Sequence, residues 1–116
     1  MTGRVLYADD MTERKVSLWS RDGLYIDAAL RDSGALVIEG QHLRGGGEYE
    51  YALTVAADQV PVVVAALGGD ADADVLDLLH ANAEPIVRRG EKGWLESIGV
   101  TVGFWSHGNW ADLFDE

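Results

Sequence analysis

The chain has 116 residues, no cysteine and a formal net charge of −11. That length makes one domain, the missing cysteine excludes disulfides and thiolate metal sites, and no run approaches the roughly 18 apolar residues of a membrane span. Residues 46–116 hold thirteen Asp/Glu against three Lys/Arg, a field that repels nucleic acid phosphates and anionic membranes and attracts basic partners.

The first residues, "MTGRVLYADD", lack the apolar stretch of a secretory leader, so the cytoplasm is the expected compartment. Residues 4–8, 15–20, 24–31, 35–42 and 48–55 are expected as strands, being rich in Val, Leu, Ile and Tyr and separated by glycine-containing turns. In the third, Leu24, Ile26, Ala28 and Leu30 alternate with Tyr25, Asp27, Ala29 and Arg31, the pattern of a half-buried strand.

The turns set a register. A three-residue loop at Arg21-Asp22-Gly23 puts Val16 and Leu18 on the core face with Leu24 and Ile26, and places Trp19 opposite Tyr25 on the other face. A two-residue turn would expose Val16 and Leu18. Burial is worth about 1.5–3 kcal/mol per side chain, so the longer loop is preferred. "DSG" at 32–34 repeats the device, setting Leu36 against Leu30 and Ile38 against Ala28. "RGGG" at 44–47 turns the chain into a strand whose Tyr49, Tyr51, Leu53 and Val55 face the core.

After Val55 the period becomes helical. Asp58 is an N-cap candidate, Pro61 falls in the first turn, and Gly68-Gly69 end the helix. A second helix starts near Asp72–Asp74 with a stripe of Val75, Leu79, Ala83, Ile86 and Val87; Pro85 kinks or divides it, and Gly90 ends it. "EKGWLESIG" makes one or two further turns. "VTVGFWS" returns to alternation as a last strand at a sheet edge, with Val100, Val102 and Phe104 inward and Trp105 outward. Asn109 is placed to cap a terminal turn carrying Trp110, Leu113 and Phe114. The expected fold is α+β: an antiparallel five- to six-stranded meander in the order β-β-β-β-β-α-α-α-β, with two or three helices on one face.

The sheet face away from the helices carries the candidate binding residues. Trp19 and Tyr25 lie opposite each other, Asp27 opposite Glu39, and Gln41 opposite Glu50. Paired carboxylates repel across a ladder, and a bound cation, the nearby Arg31 or a basic partner would relieve them. Exposed aromatics mark contact surfaces. Trp105, Trp110 and Phe114 either cover this face as an intramolecular lid or anchor a partner on it.

Other chemistry is poorly supported. Counted from Asp70, the glycine and bidentate Glu positions of a calcium loop fall on Val75 and Ala81. His42, His80 and His107 form no ligand set; His80 and Glu84 have helical spacing but no third ligand nearby, and Asp9-Asp10 reads as solvated turn chemistry. No nucleophile motif is present, and Gly45–Gly47 joins two strands instead of opening a helix, so it is no phosphate cradle. No catalytic residue, cofactor or metal is expected.

The segment "GWLESIGVTVGFWSHG" at 93–108 resembles small bacterial immunity proteins of contact-dependent inhibition and related toxin systems. The shared pattern is W-L-x-x-x-G at a helix end running into a strand with an aromatic pair, here Phe104-Trp105. The resemblance implies a stoichiometric inhibitor of a basic toxin domain, with no catalytic residue carried over. Two alternatives stand beside it: a homodimer or accessory subunit using the same face, and a small enzyme or ligand binder with a pocket between sheet and helices.

Overall fold

The computed structural model describes residues 13–44 and 47–108. Five strands, β1 (Glu13–Arg21), β2 (Leu24–Arg31), β3 (Leu36–Arg44), β4 (Gly47–Val55) and β5 (Val102–Gly108), form one antiparallel sheet in the order β1-β2-β3-β4-β5. A 3₁₀ turn (Ala57–Gln59) and four short helices separate β4 from β5: α1 (Val60–Ala66), α2 (Val75–Ala81), α3 (Ala83–Arg89) and α4 (Glu91–Ser97). This is the expected α+β meander with its last strand added at the sheet edge. The strand expected at 4–8 and the terminal turn with Trp110 lie outside the described residues.

The β2–β3 hairpin follows its turn chemistry. Gly34 takes φ +95°, and Leu30 pairs with Leu36 and Ala28 with Ile38. The β1–β2 hairpin departs from expectation. Its loop is the two residues Asp22 and Gly23, both at positive φ (56° and 78°), the twist that two-residue hairpins favour. A bulge between Ser17 and Trp19 takes up the extra residue. Val16 therefore still pairs with Ala28, and Leu18 is still buried. Beyond the bulge Trp19 pairs with Ile26 and Ser20 with Tyr25. Trp19 thus lies on the core side, partly buried against the hydrophobic cluster, and not opposite Tyr25. The bulge satisfies turn geometry and core burial together, a solution that a uniform ladder does not offer.

The helices divide more finely than expected. Asp58 falls in the 3₁₀ turn and makes no cap; Pro61 sits in the first turn of α1. Asp74 caps α2 by accepting from the Leu76 N–H at 2.9 Å. The break between α2 and α3 falls at Asn82, three residues before Pro85. Pro85 has no N–H to offer the Ala81 carbonyl and its ring crowds it, so the helix stops one turn earlier. The Asn82 side-chain amide donates to the Leu78 carbonyl at 2.8 Å and closes α2.

One core joins the layers. Ile26, Ile38, Leu53 and Val55 from the sheet meet Val63, Leu76, Leu79, Ile86 and Leu95 from the helices, all nearly or fully buried. α2 packs on β1 and β2, α3 on β1, and α4 on β5. His80 of α2 approaches the Ser17 carbonyl on β1 with its Nδ1 at 3.0 Å. Among the described residues, no helix is long and apolar enough to cross a membrane.

Candidate functional site

The outer face of the sheet is assembled from two cross-strand rows. One runs Tyr25–Gln41–Glu50 and the next Asp27–Glu39–Ala52–Trp105. These pairings put Asp27 directly opposite Glu39, and Gln41 opposite Glu50, as the alternation of β2 and β3 requires. The Gln41 amide Nε2 reaches Glu50 Oε2 at 3.4 Å. Ala52, the smallest side chain in its row, leaves a hollow of about 260 Å³ lined by Tyr25, Asp27, Glu39, Glu50 and Trp105. Both rings are open to solvent, Tyr25 at 44% and Trp105 at 53% of their full exposure.

Five of the seven residues expected to bind a partner therefore share one concave surface. Trp19 leaves the set, because the bulge turns it to the core side, where Arg21 stacks over its ring at 4.1 Å. Trp110 lies outside the described residues. Ala29 and Val37 belong to the same outer face, in a row with Lys15 and Thr54, and are buried.

Phe104 departs from expectation in another way. Its pairing with Leu53 puts it on the helix side, yet it is 51% exposed. It lines an open groove of about 300 Å³ with Tyr49, Lys92 and Gly93, and the Lys92 ammonium lies 5.9 Å from its ring.

A buried polar pair escaped sequence reasoning. Glu91, the first residue of α4, is only 6% exposed, and the Tyr51 hydroxyl donates to its Oε1. Desolvation pushes the Glu91 carboxyl above its ordinary range, and the Tyr51 hydrogen bond opposes that rise only in part. Desolvation and the neighbouring Glu91 charge push the Tyr51 phenol up. A glutamate one residue after a glycine reads as an ordinary helix start, so no local signal marks its burial.

The pairing of His80 with Glu84 at helical spacing builds no site: Glu84 Oε2 is bound by Arg88 Nη2 at 2.7 Å. Among the described residues, no group of three or more His, Cys, Asp or Glu is arranged to hold a metal.

Comparison with known proteins finds no matching family model, no matching curated protein and no matching solved structure.

Proposed function

We propose that this chain is a non-enzymatic protein-binding domain that captures a basic protein on the outer face of its sheet, and that it works as an immunity-type inhibitor of a basic toxin domain. The observation that carries the proposal is the hollow in which two solvent-open rings, Tyr25 and Trp105, flank the carboxylates of Asp27, Glu39 and Glu50. Rings at the centre of an interface slow dissociation, and a complementary field speeds encounter. The net charge of −11 supplies that field. The Asp27–Glu39 juxtaposition costs folding energy, and a partner's Lys or Arg would recover it.

A second copy of the chain fits this face less well. A two-fold contact sets the same patch against itself, so the three carboxylates would meet three more. The test is capture of the product of the neighbouring gene, expected to be a basic toxin domain, with association rates measured at low and high salt. Tyr25→Ala, Trp105→Ala and Glu39→Lys should each weaken capture while the fold stays intact, and salt should slow association. Unchanged capture by all three variants would remove the outer face as the binding surface.

A further inference from the structure

A cavity lies away from the outer face, where α1 and the loop before α2 overhang the β2–β3 turn. It encloses about 740 Å³, within the roughly 300–1,000 Å³ usual for small-molecule sites. Leu30, Val60, Val64 and Val75 form apolar walls. Ala57, Ala65, Ala71 and Ala73 are small positions in the same lining and leave room beside those walls. The overhanging loop is also held in place. A Cβ on Gly69 would come within 2.6 Å of Leu78 Cδ1 and 2.9 Å of Ala73 Cβ, so the loop is drawn onto α2 through a contact that only glycine permits. The Asp70 carboxylate accepts from the Asp72 N–H at 3.0 Å, which fixes the loop's turn.

Charge selects the occupant. Arg14 is the cation in the lining, and its Nη2 is held by Asp74 Oδ2 at 2.5 Å. Asp70 and Asp72 line the same cavity and have no ion-pair partner among the described residues. The lining is therefore apolar in its walls and negative at its rim, with its cation already neutralised.

We propose that this cavity is a binding site for an organic cation with an apolar body, its cationic head set between Asp70 and Asp72 and its body against Val60, Val64 and Val75. The site is independent of the outer sheet face.

The test titrates the whole protein with three chain-matched probes, n-octylammonium, 1-octanol and octanoate, by calorimetry and by amide shifts in the loop before α2. Octylammonium should bind tightest and octanoate weakest. Asp70→Asn with Asp72→Asn should lower octylammonium affinity about five- to tenfold and leave octanol unchanged, as expected for two exposed ion contacts. Ala65→Trp, at an exposed helix position, should fill the cavity and abolish binding while the melting temperature holds. Equal binding of the cation and the alcohol would overturn the ligand class. Binding that survives Ala65→Trp, or no binding by any probe, would overturn the site.

Discussion

The Tyr51 hydroxyl donates a hydrogen bond to Oε1 of Glu91 and so ties the sheet to the first turn of α4. Glu91 is the one buried charged or polar side chain among the described residues. Removing one partner leaves the other buried without its bond, which costs about 1–3 kcal/mol. Tyr51→Phe should lose stability in that range, measured by urea unfolding.

The same pair sets a pH dependence. Desolvation raises the folded-state pKa of Glu91 above its ordinary 4.5. Its contribution to stability is then complete below the ordinary value and is lost as pH rises through the raised one. Glu91→Gln keeps an acceptor for Tyr51 and cannot ionise. It should exceed the wild type in stability at neutral pH and show a flatter stability profile from mildly acidic to neutral conditions. A glutamine variant less stable than the wild type at neutral pH would contradict this.

Gly40 is the cross-strand partner of Tyr51, and the Tyr51 ring lies where a Gly40 side chain would be. Gly40→Ala should displace the ring, weaken its bond to Glu91 and cost about 1–3 kcal/mol, the usual range for overpacking. A double-mutant cycle with Tyr51→Ala checks the cause. The cost of Gly40→Ala should largely vanish once the ring is gone.

Asp74 serves α2 twice, as its N-cap and as the partner of Arg14. The Arg14 hydrogen bond holds its pKa below the usual carboxylate range. Its contribution is therefore present above that range and is lost as pH falls through the lowered value. Asp74→Ala should cost about 1 kcal/mol, mostly through the lost cap. Asp74→Asn keeps an oxygen for the Leu76 N–H and should cost less, because the ion pair is largely solvent-exposed. Thermal melts in acidic and neutral buffer separate the two contributions.

Glu39→Lys should separate folding from binding. It replaces a like-charge pair with Asp27 by an opposite-charge pair, worth about 0.2–1 kcal/mol in favour of folding. The melting temperature should rise slightly while capture of a basic partner weakens. A fall in both would mean that Glu39 acts through the fold alone.

The DSG turn, the alternation of β2 and the facing carboxylates Asp27 and Glu39 were legible in the sequence. Each depends on chemistry within a few residues: a glycine that tolerates positive φ, and a strand whose side chains change face at every step. For the β1–β2 turn the sequence favours a three-residue loop over a two-residue turn, and the structure takes the two-residue turn. The bulge that combines them requires weighing turn twist against core burial at once, and that moved Trp19 to the other face.

By itself, the sequence determined an acidic α+β meander with rings and carboxylates on its outer side, because periodicity, turn residues and charge are local properties of the chain. Tertiary structure alone decided that Trp19 faces the core, that Glu91 is buried under Tyr51, and that small side chains from α1 and the following loop enclose a cavity beside Asp70 and Asp72. These depend on which residues distant in the chain come to lie against one another, and burial changes the cost of a charge only once that neighbour is in place.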